Sequence, residues 1–209
     1  MTLYRPAREE FLASSLEVAP RLLGAVLRHD SPDGPVALRI TEVEAYIGDG
    51  LDPGSHAFRG RTKRNAVMYG PPGHLYTYFT YGMHVCANIV CSPEGEASAV
   101  LLRAAEVVEG EELAELRRVG GSGRRIPHRD LARGPARMVV AAGIVLADDG
   151  ADLFAPPFEL LLPTEQAPYA TGPRTGVSGA GGGLAFPWRY WLADDPTVSP
   201  YKRHPKSHD

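Results

Sequence analysis

The sequence predicts an α+β domain in which helices pack on a largely antiparallel sheet. Three observations predict it. Two β-branched and aromatic runs, Leu75 to Tyr81 and Val85 to Cys91, are joined through Gly82 and read as a hairpin. Val36 to Tyr46 alternates as a strand, with Val36, Leu38, Ile40 and Val43 apolar. Two amphipathic stretches, Glu109 to Arg118 and Gly134 to Ala142, repeat their apolar residues at helical spacing. A chain of 209 residues and 22.5 kDa suits one core, so a single domain over residues 1–209 is expected.

In chain order, Glu9 to Leu27 carries apolar residues at a mostly helical period interrupted by Pro20, which predicts two short helices with a break there. Ser31-Pro32-Asp33-Gly34 is a turn into the first strand, and residues 48–60 form a polar loop rich in Gly, Asp and Pro. After the hairpin, Ala99 to Ala105 is a further strand. The helix from Glu109 should turn Leu113 and Leu116 inward, and the helix from Gly134 should bury Met138 and Val139. The last third is rich in Pro and Gly and ends in a strand at Trp188 to Leu192. Gly179 to Gly183 is a short glycine run, too short for a domain linker.

Composition narrows the function. A net charge of -3 excludes a strongly basic, non-specific polyanion binder, yet 19 of the 22 cations are Arg, the residue suited to bidentate phosphate contacts. They crowd at Arg59, Arg61, Lys63 and Arg64, and again from Arg117 to Arg137. The N-terminal ten residues lack the apolar run of a signal peptide, and no stretch approaches the roughly 18 apolar residues of a membrane span. Cys86 and Cys91 form neither a CxxC pair nor a disulfide framework, so a reducing, cytoplasmic location is expected. The seven histidines show no HExxH spacing, no GxGxxG opens a helix, and the glycine run has no following Lys-Ser/Thr. Metal, nucleotide-cofactor and serine-nucleophile chemistry all lose ground.

Three features remain. Glu42, Glu44 and Tyr46 share a face of one strand, which is either a site or the solvent face of an edge strand. Tyr76 and Tyr78 share a face and Tyr81 falls at the hairpin tip, as a platform for nucleobases or a packing ladder would have it. His56 precedes a basic loop. Read alone, these residues leave open an enzyme, a nucleic-acid-binding module, and a glycoside hydrolase using Glu42 and Glu44 about 7 Å apart.

Taken in order, TEVEAYIG at 41–48, Ser55-His56, Thr62-Lys63-Arg64-Asn65, GHLYTYFTYGMHVCAN at 73–88, VLLRA at 100–104, Gly134-Pro135-Ala136-Arg137, GPRTGV at 172–177, Pro187-Trp188-Arg189-Tyr190-Trp191 and Thr197-Val198-Ser199 resemble the alkyladenine (3-methyladenine) DNA glycosylases. The resemblance spans nearly the whole chain. It implies a single glycosylase domain, 1–209, built on a curved antiparallel sheet, with no cofactor and no metal. Its partner would be double-stranded DNA holding a damaged purine, bound by a monomer that needs no protein partner and no membrane. Glu44 matches the general base, Arg103 a residue holding the attacking water, and the Val198 carbonyl a third contact. Tyr46, His56 and Tyr78 match the walls around the flipped base; Asn88 crowds the amine of normal guanine, with Met83 and His84 beside it. His84 stands where mammalian members have tyrosine. Tyr81 matches the intercalating residue, and Arg59, Arg61, Lys63, Arg64 and Arg137 would meet the DNA backbone. No lysine matches a nucleophile, which implies a monofunctional enzyme that leaves an abasic site. The alternative is a catalytically inactive damaged-DNA-binding module.

Overall fold

The computed structural model describes residues 2–80, 82–120 and 125–209. The expected intercalating residue, Tyr81, and the cluster residue Arg124 lie outside the described residues. The elements are β1 (Leu3–Tyr4), α1 (Ser15–Arg21), β2 (Val26–Ser31), β3 (Gly34–Ile47), β4 (Leu75–Thr80), β5 (His84–Val90), β6 (Ser98–Glu109), α2 (Glu111–Val119), β7 (Ala132–Arg133), α3 (Pro135–Ala142), β8 (Phe158–Pro163), β9 (Tyr169–Gly172) and β10 (Arg189–Leu192). The strands form one open sheet in the order β1-β8-β2-β3-β6-β5-β4, with every pairing antiparallel. No described helix is long and apolar enough to cross a membrane.

The α+β class, the hairpin, the strand at Ala99 and the two later helices match the sequence reading. The N-terminal helices differ. Pro20 sits in the last turn of α1, and the chain beyond Gly24 (φ 84°) enters β2 instead of a second helix. Val26 and Leu27 pair with both β3 and β8, and that two-sided pairing outweighs a local helical period. Leu113 packs against the core as expected, but Leu116 is 68% exposed, and the fully buried residue of α2 is Ala114. β8 was hidden in the Pro-rich third, although Phe158, Leu160 and Leu162 alternate into the core.

β3 is the strand that positions the site. Its first half pairs with β2, its second half with β10, and its other edge with β6 throughout. Side chains alternate between faces, so Val36, Leu38 and Ile40 enter the core together. An extra residue at Thr41 then reverses the phase: Val43 and Ala45 take over the core, and Glu42, Glu44 and Tyr46 are carried to the opposite face. β6 has the matching irregularity. Glu44 faces Leu101 and Glu42 faces Ala104, which leaves Arg103 as the extra residue between them. The two opposed bulges therefore place an arginine against two glutamates near the middle of the sheet.

Candidate active site

Glu42 and Glu44 are fully buried, so the solvent-face reading of this strand does not hold. Burying a carboxylate is costly unless it is paired and hydrogen-bonded, and both are. Arg103 joins them, its Nε donating to Glu42 Oε1 at 3.0 Å and its guanidinium lying 3.3 Å from Glu44 Oε2. Glu42 Oε1 also accepts from Arg189 Nε at 2.6 Å, and Oε2 accepts from the Ser199 peptide N–H at 2.7 Å. Burial would raise the Glu42 pKa, but Arg103 and Arg189 outweigh it and hold the carboxyl below its usual 4.5. Burial would likewise depress the Arg103 guanidinium, yet Glu44 and Glu42 raise its pKa further.

Glu44 is held differently. Its Oε2 accepts from Tyr46 Oη at 2.7 Å, and its Oε1 accepts from the Thr175 peptide N–H at 2.6 Å. The Tyr46 phenol is pushed up by burial and then by the Glu44 charge, so it stays protonated as a donor. Behind it lies Arg174, also fully buried, with its guanidinium 4.5 Å from the Tyr46 ring centroid. Arg174 clamps Asp52 with two bonds of 2.6 Å and donates to the Ala45 and Gly181 carbonyls. One arginine thus ties the loop after β3, the glycine run and the rear of Tyr46 to Glu44.

A cavity of about 760 Å³ is lined by Tyr46, His56, Tyr76, Tyr78, Asn88 and Arg103, among others. The His56 ring stands edge-on to Tyr78 at 4.5 Å between centroids. Its Nδ1 is 3.2 Å from Tyr76 Oη. Burial and then the Arg64 charge lower the His56 pKa below its usual 6.5, so the ring is neutral at pH 7. Burial raises Tyr76 to about 12. Asn88 is buried, and its Nδ2 donates to the Tyr76 carbonyl at 3.0 Å, which fixes the amide against the cavity wall.

Most of the expected site residues therefore meet in one place. His84 lines the cavity, whereas Met83 does not and is 69% exposed. The backbone-contact residues divide. Arg59, Arg61, Lys63, Arg64 and Arg137 are all exposed, and Arg137 is among the residues lining the cavity. Arg64 donates to the Phe79 carbonyl at 3.0 Å and lies over the Tyr78 ring, which makes it a brace of the aromatic wall. The Val198 carbonyl accepts from Arg133 Nε at 2.8 Å, and Arg133 lines the cavity. Thr175 is a neighbour of Glu44 that the sequence did not single out, its peptide N–H donating to Oε1. Sequence reading gave no role to Asp52, Arg174, Thr175 or Arg189, and marked Arg133 only as part of the basic cluster up to Arg137. They sit in irregular segments or on a short strand where no periodicity singles them out, and only motif membership marked Arg174, Thr175 and Arg189.

The comparisons with known proteins bear on this arrangement. A methylpurine-DNA glycosylase family model matches residues 9–196. A protein of Leifsonia xyli subsp. xyli is 80% identical over 208 residues, covering 100% of this chain and 98% of its own. A Streptomyces avermitilis protein is 56% identical over 202 residues (94% and 92%), and one of Corynebacterium glutamicum strain R is 46% identical over 197 residues (94% and 88%). Each of the three carries the name "Putative 3-methyladenine DNA glycosylase". With a match over nearly the full length of both partners, and the buried Glu44 and Arg103 and the half-buried Tyr46 all inside the matched span, this chain belongs to the methylpurine-DNA glycosylase family.

Proposed function

We propose that the protein, a DNA glycosylase of alkylated bases by family, flips a damaged purine out of duplex DNA and releases it by water attack at the N-glycosidic bond. The substrate class is alkylated or deaminated purines: 3-methyladenine, 7-methylguanine, hypoxanthine and etheno-adenine. The product is an abasic site, and the enzyme acts as a monomer without strand cleavage. One observation carries this reading: a fully buried carboxylate, Glu44, is held by three donors, Tyr46, Arg103 and the Thr175 peptide N–H, whose residues all line an aromatic cavity large enough for a purine.

A base inside a duplex is out of reach, so the nucleotide must leave the stack. Tyr46, His56 and Tyr78 then enclose the base. Neutral His56 adds no positive charge to the wall, so a cationic alkylpurine gains a cation–π attraction to the rings without repulsion from the imidazole. Asn88, fixed by its bond to Tyr76, reads the edge of the base. As the C1′–N bond breaks, the sugar acquires oxocarbenium character, and the Glu44 carboxylate both stabilises that charge and takes the proton of the incoming water. Arg103 holds the Glu44 carboxylate in place through a contact of 3.3 Å. Glu42 is committed to two guanidiniums and a peptide N–H, which argues against a glycoside-hydrolase pair. Lys202 lines the cavity but is exposed, without the burial that makes a lysine a Schiff-base nucleophile.

The test is single-turnover base release from duplexes with one defined lesion, read as alkali-labile sites, for wild type and Glu44→Gln. Wild type should release base, while the variant binds the lesion and loses about 10²–10⁴-fold in rate. Borohydride should trap no protein–DNA adduct. A fully active Glu44→Gln would remove Glu44 from the chemistry, and wild-type binding without release would leave the damage-binding module.

A further inference from the structure

Two hydroxyls that belong to residues lining the cavity have no hydrogen-bond partner among the described residues: Thr175 Oγ1 and Ser199 Oγ. Leaving a buried polar group unsatisfied is costly, and a native fold that keeps one calls for an explanation. Each belongs to a residue whose own peptide N–H is already spent on a carboxylate. Thr175 holds Glu44 Oε1, Ser199 holds Glu42 Oε2, and Arg103 links the two glutamates. The hydroxyls thus flank a single Glu44–Arg103–Glu42 row.

The two ends are not equivalent. Glu42 is pinned by two guanidiniums at 2.6 and 3.0 Å, which quenches its basicity, whereas Glu44 meets one at 3.3 Å. Glu44 Oε2 takes the Tyr46 hydroxyl and the Arg103 contact, but among the described residues Oε1 takes only the Thr175 N–H. Each carboxylate oxygen has two acceptor sites, so Oε1 keeps one. Glu44 Oε1, with an acceptor site left, and Thr175 Oγ1, without a partner among the described residues, thus belong to the same Glu44–Thr175 contact.

We propose that the Thr175 hydroxyl is a positioning residue for the attacking water. The inference rests on the hydrolytic reading above. The water gives one proton to Glu44 Oε1 and is steered by a hydrogen bond from its other O–H to Thr175 Oγ1. Its oxygen bonds to C1′ as the C1′–N bond breaks, and the bonding pair leaves with the base. The transferred proton ends on Glu44. A cationic base departs neutral, and a base that was neutral takes a proton from solvent.

The test compares wild type, Thr175→Val and Thr175→Ser on duplexes holding hypoxanthine or 7-methylguanine. It measures single-turnover release at saturating enzyme, lesion-DNA Kd with Glu44→Gln as the release-dead reference, and thermal midpoint. Valine keeps the shape and the peptide N–H but removes the hydroxyl. Release should fall about tenfold or more in Thr175→Val, Kd should stay within twofold, and the midpoint should hold or rise because an unpaired hydroxyl is gone. Serine should restore the rate. Full release by Thr175→Val would overturn the proposal, as would a loss that serine does not rescue or that tracks a lowered midpoint. Wild type that releases no base would instead overturn the glycosylase reading itself.

Discussion

At the scale of single residues, the site is an arrangement of buried charges in which each ion has its counter-ion. Two glutamates share Arg103, the outer one adds Arg189, and Asp52 holds Arg174 against the back of Tyr46. The resemblance gave Glu44 and Arg103, since they lie inside short motifs. It gave no role to Arg174 or Arg189, because what makes them matter is the partner each meets far along the chain: Asp52, 122 residues away, and Glu42, 147 residues away. Glu42 also yields a pH prediction. Its folded pKa lies below 4.5, so the stability it contributes is complete above about pH 4.5 and is lost as pH falls through the folded value. Asp195, held low by Thr197 and Arg39 against the effect of burial, acts in the same direction. The thermal midpoint of wild type should therefore fall steeply below pH 4.5. Glu42→Gln should be less stable at pH 7, by about 3–5 kcal/mol for a broken buried pair, with a shallower acid limb. A variant with the wild-type acid limb would show that Glu42 is not the titrating group.

At the scale of elements, the important device is the pair of facing bulges in β3 and β6. The phase change was visible in the sequence as apolar residues at 36, 38 and 40 followed by 43. The sequence alone did not show that β6 would carry the matching bulge at Arg103, because a bulge is a property of a pair of strands. The hairpin was legible for the opposite reason, since its two halves and turn are contiguous. The glycine run, which sequence reading left without a role, has a packing one. A Cβ on Gly181 would lie 2.4 Å from the Gly54 nitrogen, on Gly182 2.0 Å from the Val177 carbonyl, and on Gly183 2.3 Å from the His208 carbonyl. The run lets the C-terminal segment, the loop after β3 and the Arg174 clamp close on one another. Gly182→Ala should therefore cost about 1–3 kcal/mol in urea unfolding, as forced overpacking does. Gly95→Ala is the control. Its added Cβ meets nothing within 4 Å, so its positive φ of 96° costs strain alone and no backbone is displaced. If both variants lose base release equally at a temperature where each remains folded, the packing of the run would have no special tie to the site.

At the scale of the whole molecule, the question is how a protein of net charge -3 engages a polyanion. The answer lies in which cations are free. Arg39, Arg103, Arg174 and Arg189 are neutralised inside the fold, and Arg5, Arg21 and Arg28 are paired on its surface. Arg59, Lys63 and Arg137 are exposed and form no ion pair among the described residues. Arg137 stands in the first turn of α3, directly after Gly134-Pro135-Ala136, and is among the residues lining the cavity that a flipped nucleotide would enter. Binding to lesion DNA should therefore weaken steadily with salt, each neutralised phosphate adding about 0.9 to the slope of log affinity against log salt. Arg137→Ala should lower that slope by about 1 and weaken lesion and undamaged duplexes alike, because a phosphate contact carries no sequence or lesion information. Arg64→Ala should behave differently. Arg64 braces the Tyr78 wall and depresses the His56 pKa, so its loss should raise the titration midpoint of the His56 ring and impair lesion binding more than binding of undamaged duplex. An Arg137→Ala slope equal to that of wild type would place Arg137 off the phosphates. An Arg64→Ala protein with an unchanged His56 midpoint and a lowered slope would make Arg64 the phosphate contact that its sequence context suggested.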